Sequence, residues 1–339
     1  MLDQINYITN AIKKIKAIVF AQCSAIRNFR IRNMKKVKLL LLPKILFAVC
    51  VIGMIYVSVG MVWYHNIDDN LNFRPMERFD SPGGSKAVAL AASIVYRESS
   101  RWTPNKPWIH PAYFLDNMPN YQLGIFYAIS RFAIELGDVL GRSRGSSAID
   151  LDLDRAAGLL KYDGRTWYWG TGNVIPTATA ESQYMQGADA LMRFNKRVAE
   201  NDAVYEKRAD NLIVLLDRIA SDLGSESAAL SDQSLVSNAG YLDFDADDLF
   251  YQIKGRLYGY AMILHAIGED FSIIIEEKQA TQIWQKMLES LDLAAGMDPW
   301  VIANGKEDGF VIPSHLAVQG FSLLRARTQL KELADLLMK

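Results

Sequence analysis

Glu98 is the side chain whose neighbours best fit it for acid–base chemistry. It ends the run Ile94-Val95-Tyr96-Arg97-Glu98 and is followed by Ser99-Ser100-Arg101-Trp102-Thr103-Pro104. One carboxylic acid with a raised pKa can protonate a glycosidic oxygen and then serve as base. The same acid also reads as a salt-bridged residue at a helix end. A second constellation, Gly141-Arg142-Ser143-Arg144-Gly145, has the spacing of a hydrolase nucleophile. Such a serine needs a strand before it and a helix directly after it to be exposed under strain. Here a helical pattern precedes it and Ser146-Ser147 follows, so it reads as a solvated loop. Arg142 and Arg144 are its candidate contacts for an acidic partner.

The run Asp243-Phe244-Asp245-Ala246-Asp247-Asp248 begins like a calcium loop. Its sixth position should be Gly and is Asp248, and its twelfth should be Glu and is Lys254. Acids at that place instead suit the start of a helix near Leu249, where they meet its dipole. His110, His265 and His315 each lack a second ligand at metal-site spacing, and neither Ser-x-x-Lys nor His-Glu-x-x-His occurs. No metal and no cofactor is expected.

The elements that must position these residues are mostly helices. Ile125, Ile129, Phe132, Leu136 and Val139 recur at helical spacing, as do Phe250, Ile253, Leu257, Ala261 and Leu264, and then Ile283, Met287 and Leu291. An apolar stripe runs from Leu191 to Leu223 through Phe194, Val198, Tyr205, Leu212, Leu216 and Ile219; unbroken, that helix would be about 50 Å long. Ser314 after Pro313 predicts the cap of a last helix reaching Leu337. Leu160-Lys161-Tyr162, Asp163-Gly164 and Arg165-Thr166-Trp167-Tyr168-Trp169 predict a small β-hairpin at 160–169 around a type I′ turn. The expected fold is therefore all-α with one hairpin.

Residues Ile45 to Tyr64 hold no charge and end in Trp63-Tyr64, which matches a bilayer core with an aromatic belt. Residues 1–44 carry ten of the chain's 37 Lys and Arg but only one acid, Asp3. The positive-inside rule places that end in the cytoplasm. A lead this long, with no small-x-small site after the span, predicts an uncleaved signal anchor rather than a signal peptide. The segments expected are a cytoplasmic basic amphipathic stretch at 1–38, an anchor at 39–64, a polar linker at 65–84 and a periplasmic helical domain at 85–339. Ile5, Ile8, Ile12, Ile15 and Val19 give the first of these one apolar stripe, suited to the inner leaflet or to a partner helix. Residues 65–339 keep 27 basic against 37 acidic side chains, a balance that suits neither nucleic acid nor an anionic membrane surface. Cys23 and Cys50 precede or lie in the span, so the outer domain is stabilised by packing and not by disulfides.

Two resemblances bear on function. The segment around Glu98 resembles the first motif of lytic transglycosylases, in which a Glu followed by Ser closes a helix. That likeness covers about ten residues, and the companion Gly-Leu-Met-Gln motif is replaced by Tyr121-Gln122-Leu123-Gly124. Wider in reach are four blocks: Trp102-Thr103-Pro104-Asn105-Lys106-Pro107-Trp108, Leu115-Asp116-Asn117-Met118-Pro119-Asn120-Tyr121-Gln122, Thr177-Ala178-Thr179-Ala180-Glu181-Ser182-Gln183-Tyr184, and Arg208 to Leu212 running into Leu216 to Ala220. Together they resemble a family of single-span proteins of Gram-negative bacteria known as domain of unknown function 2333. The resemblance implies an inner-membrane, periplasm-facing protein and transfers no site. The expected function is a non-enzymatic scaffold or adaptor of the envelope, touching the lipid bilayer and an envelope protein. The alternative is a peptidoglycan-cleaving enzyme using Glu98.

Overall fold

A computed structural model describes residues 43–141, 149–169, 176–236, 244–299, 302 and 314–339, with Lys16, Phe20, Ala21, Ser24 and Arg27 ahead of them. Thr179 and Ser314 cap helices as their sequence setting indicates. Thr179 Oγ1 accepts from the Ser182 amide (3.4 Å) at the start of α5 (Ala180–Ala199), and Ser314 Oγ from Ala317 (3.2 Å) at the start of α10 (His315–Leu337). Ser85 caps α2 (Lys86–Ser100) and Asp150 caps α4 (Leu151–Leu160) in the same way. Each bond satisfies a donor that the first helical turn leaves open. The other helices are α3 (Asn117–Glu135), which runs into a π-helical turn at Leu136–Leu140, then α6 (Ala209–Val236), α7 (Phe244–Asp270), α8 (Ser272–Glu277) and α9 (Thr281–Ala295). Ahead of all of them α1, Pro43–Tyr64, has 22 residues. At 1.5 Å per residue it is about 33 Å long, long and apolar enough to cross a bilayer.

Residues 60–339 form one packed unit around α7. Helices α3, α9 and α2 cover it, α6 pairs with α10, and α5 packs on α2 and α4. The predicted stripe Phe250, Ile253, Leu257, Ala261 and Leu264 is fully buried. Two glycines set the closest approach. A Cβ on Gly255 would overlap the Tyr121 carbonyl oxygen, and one on Gly124 would overlap that of Gln252. The α3 and α7 backbones therefore touch where neither chain carries a side chain.

Residues 65–84 are polar in composition and non-helical, yet they are tied to the helices. Phe79 is fully buried, and Ile67, Leu71, Phe73 and Met76 pack against the core. The segment ends in a tight turn, Ser81-Pro82-Gly83-Gly84, closed by Gly84 N donating to Ser81 O (2.8 Å). Gly83 has φ of 90°, the left-handed conformation that the third position of a type II turn requires.

Two expectations are corrected. The segment 160–169 is not a hairpin, and no strand occurs among the described residues. A type I′ turn needs positive φ at both central residues, and among the described residues only Gly83, Asn201 and Gln279 have it. The turn is instead shifted by one residue, with Thr166 N donating to Asp163 O (3.1 Å). Carbonyls in and around the predicted turn bind groups from elsewhere in the chain. Tyr162 O accepts from Tyr184 (2.7 Å), Gly164 O from Trp102 Nε1 (2.9 Å) and Thr166 O from Asn105 Nδ2 (2.9 Å).

The 191–223 helix is likewise two helices. α5 ends at Ala199, Asn201 turns left-handed at φ of 60°, and α6 begins at Ala209. The apolar spacing survives the break because Tyr205, in the connection, reaches the same core and donates to Asp270 Oδ2 (3.0 Å). Asp210 and Asp217 on α6 are exposed, so they form no buried polar seam.

Candidate functional site

Glu98 occupies the last turn of α2, and the fold closes over it. Its side chain is fully buried. Oε1 accepts from Arg97 Nε (2.8 Å) and Arg101 Nη2 (2.6 Å), and Oε2 accepts from Gln122 Nε2 of α3 (3.1 Å). Gln122 is held in turn by Thr103, whose amide (2.9 Å) and hydroxyl (2.7 Å) both donate to the Gln122 Oε1. A general acid must come within about 2.6–3.2 Å of the oxygen it protonates. Glu98 presents no open face for such a contact, because Arg97, Arg101 and Gln122 take up its oxygens.

Arg97 and Arg101, the partners of Glu98, hold the stretch immediately after α1. Arg97 pairs with Asp68 (3.1 Å) as well as with Glu98, and its guanidinium lies 4.5 Å from the Phe73 ring centre and 5.5 Å from that of Tyr258. Arg101 Nη1 donates to Asn66 O (3.2 Å), Tyr121 to Asp68 O (3.0 Å) and Tyr258 to Asn70 O (3.2 Å). Lys254 of α7 is fully buried and pairs with Asp69 at 2.8 Å. Residues 66–73 are thus clamped to α2, α3 and α7 at once. Burial is the largest influence on Arg97 and lowers its pKa, but Glu98, Tyr258 and Asp68 outweigh it and the net shift is upward. Burial pushes the Tyr258 hydroxyl up to about 12, so it stays a donor.

Beside the clamp lies a cleft of about 400 Å³. Thr103, Asn105 and Lys106 form one wall, Asp116, Pro119 and Asn120 another, and Arg165 and Asp248 close it. Asn105 donates to Glu181 Oε2 (2.5 Å), and Lys106 pairs with Glu181 at 3.3 Å. Three of the four blocks that carry the family resemblance, those containing Trp102, Leu115 and Thr177, therefore meet here. Asp247 sits at the same end, with its carboxyl pushed up to about 6 by burial and by Asp116 and Asp248. A raised carboxyl stabilises the fold below its unfolded pKa, and that contribution is lost as pH rises through the folded value. Asp247→Asn should therefore stabilise the protein at pH 7, by about 1 kcal/mol once partial exposure is allowed for. The gain should vanish in melts below about pH 4. A gain that is the same at both pH values would contradict this electrostatic origin.

The remaining sequence candidates lie apart. Ile45 and Tyr64 sit near the start and at the end of α1. Arg142, Ser143 and Arg144 are outside the described residues, as is the stripe from Ile5 to Val19. A π-helical turn, not a strand, leads up to Gly141. Asp245 and Asp247 fall in the first turn of α7, which starts at Phe244, five residues before Leu249. His110 Nδ1 accepts from the Ala112 amide (3.1 Å) to start a 3₁₀ turn at Pro111–Phe114, His265 lies 3.0 Å from both oxygens of Asp292, and His315 opens α10. Among the described residues no group of His, Cys, Asp and Glu could hold a metal ion.

Sequence reading missed Arg97, Arg101, Asp68, Asp69 and Lys254 as partners. The spacing of Glu98 and Arg101, three apart on one helix face, was the available signal. Nothing local connects Asp69 to Lys254, which are joined only by the fold.

Among the described residues the protein is all-helical, with one N-terminal helix long and apolar enough to span a bilayer, and that is the class these features define. The chain belongs to the family described as an uncharacterized protein conserved in bacteria (DUF2333), whose model matches residues 44–241 and 238–339. No curated protein and no solved structure matches the chain.

Proposed function

We propose that the protein is a scaffold or adaptor of the bacterial envelope. On this reading α1 anchors it in the inner membrane, the basic N-terminus is cytoplasmic, and residues 65–339 face the periplasm. The observation that supports it is the clamp. Residues 66–73 follow α1 directly and are bound to α2, α3 and α7 through Arg97, Arg101, Tyr121, Lys254 and Tyr258. A flexible tether would let the domain roam, whereas residues 66–73 are bound into the folded unit that begins at Gly60. An anchored domain with no loose linker suits a protein that presents a surface to an envelope partner, and the mixed-charge cleft offers polar contacts for it. Glu98, on which a peptidoglycan-cleaving reading depends, is committed to the clamp.

The orientation has a direct test. A reporter that works only outside the cytoplasm should be active when fused after Lys339 and silent when fused after Asn10. The reverse pattern would overturn the topology argued from the ten cations of residues 1–44.

A further inference from the structure

The segment 107–114, Pro-Trp-Ile-His-Pro-Ala-Tyr-Phe, has no Lys, Arg, Asp or Glu. It nevertheless leaves Trp108 72%, Ile109 61%, Tyr113 55% and Phe114 50% exposed. Contiguous large apolar side chains displayed this way mark a contact with something less polar than water. The position of the segment says what that is. The Tyr64 ring, at the last residue of α1, lies 4.6 Å from the His110 ring, and Gly60 lies against the Pro111 ring. All four residues belong to the unit 60–339, so this placement does not depend on how the rest of α1 is directed. Trp63 and Tyr64 end the apolar run where an aromatic belt belongs. Gly60 is four residues earlier, about 6 Å deeper along the helix. Pro111 touches that deeper level, so the loop reaches back past the end of the span.

We propose that the 107–114 loop is seated in the lipid interface of the leaflet from which α1 emerges, with Trp108, Ile109, Tyr113 and Phe114 among the headgroups and upper acyl chains. The loop then acts as a second foothold beside α1. Its composition suits the site: Trp and Tyr are the side chains enriched at that depth. His110 suits it too, since burial and then the nearby Lys106 lower its pKa and favour the neutral imidazole. The inference rests on the membrane-anchor reading of α1, and its test separates the two.

Full-length protein with Cys23→Ser and Cys50→Ser would carry a single nitroxide at Ile109→Cys, Ile52→Cys or Lys196→Cys, in phospholipid nanodiscs. Relative accessibility to oxygen and to a nickel chelate reports depth. Ile52, in the middle of α1, marks lipid, and Lys196, 71% exposed on α5, marks water. The expected result is a ratio of oxygen to nickel accessibility at 109 well above that at 196 and approaching that at 52. If 52 reads as lipid while 109 matches 196, the loop proposal is wrong and the anchor stands. If 52 itself reads as water, the anchor reading fails and takes the loop with it.

Discussion

Gly255→Val should destabilise the full-length protein by more than about 3 kcal/mol, toward the upper end for overpacked cores. A side chain there has nowhere to go, because even its first carbon would overlap the Tyr121 carbonyl of α3. Backbone cannot rotate aside as a flexible side chain can, so α3 and α7 must separate along a seam that Gly124 also lines. The helix itself would favour the change slightly, since Gly lies about 1 kcal/mol below Ala in a helix interior and Val recovers part of that. Packing and propensity thus oppose each other, and packing wins by its size. Gly158 isolates the smaller effect: it lies exposed on α4, and a Cβ added to it would meet only open space. Gly158→Ala should raise stability by about 0.5–1 kcal/mol. Denaturant melts in detergent would show the two glycines moving in opposite directions, and a tolerated Gly255→Val would contradict the close approach.

Glu98→Ala should cost about 3–5 kcal/mol, because removing one partner of a buried ion pair strands the other. Arg97 would keep Asp68 but lose the carboxylate that faces it from its own helix, and Gln122 Nε2 would lose its shortest acceptor, keeping only the Glu98 and Arg101 carbonyls at 3.4 and 3.3 Å. Glu98→Gln keeps the shape and one acceptor oxygen, so about 2–3 kcal/mol is expected, the range for a hydrogen bond to a charged group. For a domain of this size that corresponds to a fall of roughly 3–5 °C in melting temperature. Hydrogen exchange should rise first at residues 66–73, since the clamp holds them and the α7 core does not depend on it.

How far the sequence discloses this arrangement differs by residue. The stripe from Phe250 to Leu264 and the cap at Ser314 are local signals, and the structure carries both. α1 is equally local, a run of apolar residues whose length speaks for itself. The hairpin does not form: Asp163-Gly164 is a strong turn signal, but the acceptors around it are taken by Trp102, Asn105 and Tyr184 from elsewhere in the chain. The single 191–223 helix breaks because periodicity reports which residues face a core, not whether the chain between them stays helical. Asn201 and Tyr205 keep the facing and interrupt the helix. Glu98 was legible as unusual, and its neighbours Arg97 and Arg101 were in plain view. That Asp68 and Lys254 complete the same network is information only the tertiary fold contains.

The proposal that Glu98 serves the clamp, through Arg97 and Arg101, and not acid–base chemistry is tested most directly by one paired measurement. Purified full-length wild type and Glu98→Gln would be incubated with sacculi and assayed for released anhydro-muropeptides, with melting temperature taken on the same samples. The account predicts no release above buffer from either protein and a lower melting temperature for Glu98→Gln. Release by the wild type that is abolished in Glu98→Gln, at an unchanged melting temperature, would contradict it.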